Sequence, residues 1–262
     1  MRASFAFGLL ALLFLAGCMS GTGRLDTFRS LSDTPHGFQL VASPVRAGER
    51  AQRFEVRPGD CGRDAGWSDC ETDRERSELT VRQDILPGTD RWVAYSIYLP
   101  EDFYSSPRVT TSLGQIHQRG GPTGTAGGFA SFPPLLQIDA RGNRVAACLH
   151  ILSGSIDNIT DRCRDFPLTT VSAMRGRWTD VMIHLDARGS GVLEIYLNGQ
   201  RRAQSTGFIR FQPKEYYVKY GVYRSFVSRH GGPMPGQVAF YDEVRIGPDR
   251  ASVEVSAERF VD

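Results

Sequence analysis

Nine consecutive residues constrain this chain more than any other stretch: Tyr216-Tyr217-Val218-Lys219-Tyr220-Gly221-Val222-Tyr223-Arg224. Aromatic and β-branched side chains in this density specify a strand. On a strand, alternate side chains share a face. Tyr217, Lys219, Gly221 and Tyr223 therefore stand on one side, and Tyr216, Val218, Tyr220 and Val222 on the other. The second set is large and mostly apolar and suits a core. The first offers an ammonium, two phenols and a bare glycine where a ligand could approach the backbone.

Most of the chain repeats this strand-like pattern. Strands are expected near 38–43, 51–57, 74–83, 91–99, 112–118, 134–139, 144–151, 178–186, 191–198, 216–224 and 237–246, with Gly, Pro, Asp and Ser between them. Asn198-Gly199 after Leu193-Glu194-Ile195-Tyr196-Leu197 is a hairpin signal. No long segment has helical periodicity. Many short strands in roughly 240 residues predict a single all-β domain over 37–262, a β-jelly-roll sandwich (concanavalin-like) of two antiparallel sheets. Its concave face would form a groove. The loop 119–133 is glycine-rich and matches no phosphate-binding loop, because no Gly-Lys-Ser/Thr follows.

The first twenty residues have one early Arg and an apolar run too short to span a bilayer comfortably, the form of a secretory signal. The run ends in Leu15-Ala16-Gly17-Cys18, which resembles a bacterial lipobox. It implies a signal peptide over 1–17 and lipidation of Cys18, with residues 18–36 as a tether and the lipid as the only membrane anchor. An ordinary signal peptide with an incidental cysteine is the alternative. Met19 and Ser20 follow rather than Asp, which favours sorting to the outer membrane, in the periplasmic envelope of a Gram-negative bacterium, with either membrane face open to it.

Setting Cys18 aside leaves Cys61, Cys70, Cys148 and Cys163, an even number in an oxidising compartment. Three pairings are possible, and proximity favours Cys61–Cys70 and Cys148–Cys163. Zinc competes, but no Cys-x-x-Cys pair is present. The formal charge of +2 is too balanced for nucleic-acid binding. The basic residues are nearly all arginine, which suits bidentate recognition of carboxylate or sulfate.

Three motifs share chemistry. Arg74, Arg76 and Glu78 alternate with core-facing residues ahead of Leu79; Gln115 and His117 flank Ile116; Lys219 and Tyr223 belong to the opening strand. Singly, each has a plain explanation, such as a surface ion pair of little worth. His36, His150, His184 and His230 are assigned structural or exposed positions, with His184 packed in an apolar run.

In order, Arg76-Ser77-Glu78-Leu79, Gln115-Ile116-His117 and Tyr217-Val218-Lys219-Tyr220-Gly221-Val222-Tyr223 resemble the bacterial polysaccharide lyases that include the first heparin lyase and the glucuronan lyases, and more distantly the jelly-roll alginate lyases. The resemblance covers roughly 50–247. It implies cleavage of an anionic, uronate-containing polysaccharide by a monomeric enzyme. The proton on C5 is removed and the oxygen on C4 expelled. A positive charge or donor on the neighbouring carboxylate stabilises the enolate, a task assigned to Arg76 and Gln115. His117 and Tyr223 are the candidates for base, with Tyr223 favoured as proton donor if nearby cations lower its pKa. Lys219, Arg74, Glu78, Tyr217 and Arg224 are expected to bind substrate. The chemistry requires no cofactor. Relatives of this type imply a structural Ca²⁺ near the last strands, to which Asp242 and Glu243 could contribute.

Two other functions compete. Glu71-Thr72-Asp73-Arg74-Glu75 has the spacing of a glycoside hydrolase carboxylate strand. A non-catalytic carbohydrate-binding jelly roll would need the groove but not the Gln/His/Tyr set.

Overall fold

The computed structural model describes residues 25–31, 34–64, 67–120, 132–155 and 158–255. Cys18, the expected signal peptide and most of loop 119–133 lie outside these residues.

Among the described residues, sixteen strands follow in order: β1 (Thr27–Leu31), β2 (Phe38–Val41), β3 (Ala51–Val56), β4 (Arg63–Asp64), β5 (Trp67–Ser68), β6 (Arg74–Val81), β7 (Asp90–Tyr98) and β8 (Thr110–Arg119). They continue with β9 (Leu136–Arg141), β10 (Arg144–Ser155), β11 (Asn158–Thr170), β12 (Trp178–Asp186), β13 (Val192–Leu197), β14 (Gln200–Thr206), β15 (Glu215–Ser225) and β16 (Gln237–Gly247). Two seven-stranded sheets result, ordered β1-β6-β15-β8-β9-β10-β11 and β14-β13-β12-β7-β16-β3-β2, with a small ribbon β4-β5. The predicted all-β sandwich of two antiparallel sheets is the fold observed.

The opening strand, β15, lies inside the first sheet between β6 and β8. Tyr216, Val218, Tyr220 and Val222 are fully buried between the sheets, as their alternation predicts. Phe54 of β3 meets Tyr220 and Tyr241 edge-on, with ring centroids 5.7 and 5.2 Å apart, geometries that aromatic quadrupoles favour. The Tyr241 hydroxyl donates across the sandwich to the Leu113 and Gly221 carbonyls at 2.6 and 2.8 Å. Those acceptors flank an irregularity where β15 carries one residue more than β8 between Tyr220 and Tyr223. A bulge disrupts the ladder locally, and a buried phenol from the other sheet satisfies the carbonyls there.

Gly221 sits in this irregularity at φ 131°. A Cβ there would lie 2.3 Å from the Ser77 carbonyl oxygen. The conformation and the close approach both require glycine.

The hairpin at Asn198-Gly199 forms with φ 48° and 76°, the paired positive values of its turn type. Both expected disulfides are present. Cys148–Cys163 ties β10 to β11, and Cys61–Cys70 closes the loop that carries β4 and β5.

Three expectations need correction. Residues 27–31, expected as tether, form β1 and pair with β6; an edge strand takes its ladder from its neighbour rather than from its own propensity. β11 was not expected, because it is largely exposed, rich in Asp and Arg, and contains Pro167. That proline faces Ala146 next to a register shift on the sheet edge, where proline is tolerated. His184 is not in the core: it stacks on Trp92 at 4.4 Å on the half-exposed face of β12 and contacts Asp90 and Glu194.

Candidate active site

Antiparallel pairing lines up the polar residues of the first sheet in cross-strand rows. In one row Arg76, Tyr223, Ser112 and Asp139 stand side by side on β6, β15, β8 and β9. In a second, Lys219, Gln115, Gln137 and Cys148 do so on β15, β8, β9 and β10. Tyr217 faces His117 across β15 and β8, and their rings stack at 5.1 Å. The rows border one cavity of about 360 Å³, lined by Arg74, Arg76, Gln115, His117, Lys219 and Tyr223 with Gln137, Asp139 and Arg229.

Beneath the cavity lies a buried ion network. Glu78 is 1 % exposed and accepts from Gln115 Nε2 at 2.6 Å and Lys219 Nζ at 2.7 Å. Arg76 Nη1 reaches the same carboxylate at 3.2 Å. Burial pushes the Glu78 carboxyl up, but Lys219, Arg76 and the two hydrogen bonds pull it below the usual range. Burial pulls the Lys219 ammonium below its ordinary value, against the pull of Glu78. Arg76 is also held at both ends by Asp69, Nε and Nη2 each at 2.5 Å. Asp69 in turn accepts the Gly62 amide and belongs to the loop closed by Cys61–Cys70. That disulfide therefore helps aim Arg76.

Tyr223 stands among cations. Arg74 Nε donates to its hydroxyl at 3.1 Å, the Arg76 guanidinium lies 4.4 Å from the ring centre, and Lys219 Nζ 5.9 Å. Burial first, and Lys219 next, push His117 down to about 4, so its ring is neutral near pH 7. Its Nδ1 lies 2.9 Å from the Gln118 amide nitrogen and 3.1 Å from the Gln118 carbonyl. A backbone N–H only donates, so Nδ1 accepts and the neutral ring carries its proton on Nε2.

Arg76, Gln115, His117, Tyr223, Lys219 and Arg74 thus gather around one groove, while Tyr217 stands behind His117, stacked on its ring. Two other expected substrate contacts do not line it. Glu78 lies under the groove and is saturated by Gln115, Lys219 and Arg76. Arg224 is 0 % exposed: one position from Tyr223, it faces the interior, pairs with Glu75 at 2.8 Å and donates to the Pro235 carbonyl.

The hydrolase arrangement is not present either. Glu71 is exposed in a turn before β6. Asp73 has φ 62° and takes the Ser228 amide and hydroxyl, and Glu75 faces inward with Arg224. The three carboxylates do not share a face. Nor do Asp242 and Glu243 form a cation cradle. Asp242 accepts the Arg46, Ala47 and Glu243 amides, and Glu243 pairs with Arg245. Among the described residues no group of three or more His, Cys, Asp or Glu could hold a metal.

Asp69, Gln137, Asp139, Phe226 and Arg229 were not anticipated. Strand parity could have found Gln137 and Asp139, which alternate with Leu136 and Ile138. Phe226 and Arg229 lie past the end of β15, where the period-2 pattern stops.

No curated protein sequence matches this chain. Among solved structures, an endo-β-1,4-glucuronan lyase from the fungus Trichoderma reesei superposes with a TM-score of 0.66 at 18 % identity, covering 90 % of this chain and 94 % of that one. An alginate lyase from Pseudomonas aeruginosa does so at 0.54 and 20 % identity, covering 81 % and 86 %. The family 7 alginate lyase A1-II' gives 0.54 at 16 % identity, covering 82 % and 84 %. These likenesses are of fold. The polysaccharide lyase family model matches residues 20–245, and over that span, nearly the whole described chain, this protein belongs to the polysaccharide lyase family.

Proposed function

We propose that this enzyme cleaves a uronate polymer by β-elimination, with Tyr223 as the group that moves protons. The observation that carries the reading is the convergence of Gln115, His117 and Tyr223 on one cavity walled by Arg74 and Arg76. The uronate carboxylate sits against the Gln115 amide and the Arg76 guanidinium, which neutralise the charge that builds as C5 loses its proton. Glu78 fixes the Gln115 amide, and Asp69 fixes Arg76, so these donors are already oriented when substrate arrives.

A neutral His117 with its proton on Nε2 is a donor, and an imidazole whose conjugate acid lies near 4 is a weak base. His117 therefore serves as a third hydrogen-bond donor to the carboxylate. Tyr223 acts as the phenolate, with Arg74 donating to its oxygen, and becomes a neutral phenol when it takes the C5 proton. Electrons from the C5–H bond form the C4–C5 double bond, the C4–O4 bond breaks, and the departing oxygen receives a proton from the same tyrosine. Delivery of the chain to the outer membrane as a lipoprotein anchored through Cys18 would place this groove among the polymers of the cell envelope.

The test is the ultraviolet absorbance of the unsaturated uronate, measured with glucuronan, alginate, heparin and hyaluronan. Tyr223→Phe should lower the rate on the cleaved polymer by on the order of 10²–10⁴ with unchanged circular dichroism. His117→Ala should also cost activity, as loss of a donor. New reducing ends without that absorbance would show hydrolysis and sink the proposal.

A further inference from the structure

Beyond the end of β15 the chain turns sharply at Phe226, which has φ 59° and is 41 % exposed. A bulky residue in the left-handed region is strained, and here a dedicated clamp holds it. The Phe226 amide donates to the Asp73 carbonyl at 2.8 Å, and the Asp73 carboxylate takes the Ser228 amide and hydroxyl at 2.9 and 2.7 Å. Asp73 itself has positive φ. Two strained residues are thus locked together to hold one aromatic ring at the mouth of the groove.

Two guanidiniums lie over that ring, Arg74 with its Cζ 3.8 Å and Arg229 with its Cζ 4.2 Å from the centroid. Both line the catalytic cavity. Arg74 reaches the Tyr223 hydroxyl with Nε and spends Nη1 on the Thr72 and Asp73 carbonyls. Among the described residues Arg229 makes no ion pair, and Asp73, committed to Ser228, is the nearby carboxylate that feels both cations. A guanidinium held over an aromatic face still has N–H donors free for a carboxylate, at the spacing of its two oxygens. Its rotamers are fixed before any ligand arrives, which lowers the entropic cost of binding.

We propose that Phe226 and Arg229 form an anion subsite next to the catalytic centre, which takes the carboxylate of the uronate adjacent to the one being cleaved. This rests on the function proposed above. Arg74 bridges the two places, with Nε on the Tyr223 hydroxyl and its Cζ over the Phe226 ring, so the subsite lies directly beside the bond that breaks. The enzyme then selects polymers whose consecutive sugars are both charged, and a polymer with isolated uronates fills only the catalytic position.

The experiment compares full-length wild type, Arg229→Ala, Arg229→Lys and Phe226→Leu on the preferred polyuronate and on the same polymer with part of its carboxyls methyl-esterified. KM for the fully charged polymer should rise roughly tenfold in Arg229→Ala, the cost of one charge-assisted hydrogen bond, with a smaller change in kcat. Arg229→Lys should recover only part, since an ammonium lacks the fork. The ratio of activities on the two polymers should narrow in both. A fall confined to kcat, or equal losses on both polymers, would show a structural role and overturn the subsite. Calorimetric titration of Tyr223→Phe with and without Arg229→Ala separates the two proposals. Binding that weakens with Arg229→Ala while wild type yields no unsaturated product supports the subsite and removes the reaction. Equal binding with and without Arg229→Ala, when wild type does yield product, removes the subsite alone.

Discussion

Glu78 shows how one residue can matter to a groove it does not line. Its carboxylate is the only acid shared by Lys219, Gln115 and Arg76 among the described contacts, and breaking one partner of a buried ion network leaves uncompensated charge. Glu78→Gln keeps the shape and removes the charge. Stability should fall by about 3–5 kcal/mol, measured from denaturant midpoints, and residual activity should fall too as Gln115 loses its anchor. A variant as stable as wild type would show that Lys219 and Arg76 do not depend on it. Arg224 teaches the complementary lesson. Adjacent strand residues face opposite ways, so Tyr223 in the groove already sends Arg224 to the core. Its charge suggests a substrate contact; its parity rules one out. What the sequence hides is Glu75, the inward partner that makes a buried arginine tolerable.

At the scale of elements, β6, β8 and β15 were readable because their polar and apolar residues alternate cleanly, and that same alternation brought Arg76, Gln115, His117 and Tyr223 to one face. β1 and β11 were not, because edge strands need no apolar face of their own. The turn bearing Phe226 and Arg229 was hidden for a different reason: nothing in local pattern announces a left-handed phenylalanine held by an aspartate more than a hundred residues away. Within β15 the sensitive point is Gly221. Alanine there would meet the Ser77 carbonyl and the Glu78 backbone while holding φ 131°. Gly221→Ala should cost at least ~1–3 kcal/mol and shift Tyr223 relative to Gln115, so the loss in kcat at a temperature where the variant is folded should exceed that of Gly88→Ala, a glycine with open space around it. Similar losses in the two would mean that the bulge does not position the site.

For the whole molecule, acid should act through His117 before the carboxylates of the groove floor are protonated. Its folded pKa of about 4 lies below its ordinary 6.5, so in that interval the unfolded chain binds the proton that the folded chain refuses. Stability is then complete above about pH 6.5 and declines as pH falls toward about 4. Denaturant midpoints at pH 7.5 and 4.5 should therefore differ more for wild type than for His117→Gln. Identical differences would show that the ring titrates normally. The pairing that builds the groove has one more consequence. Arg74 meets Tyr223 across 149 positions of chain and Glu78 meets Lys219 across 141, so β6 must wait for β15. Contacts so distant in sequence are slow to close. A nascent or refolding molecule therefore carries its hairpins early and its catalytic face last. Until then, one edge of β6 is an open ladder, and the interval before β15 arrives is when this chain is most prone to pair with its neighbours and aggregate.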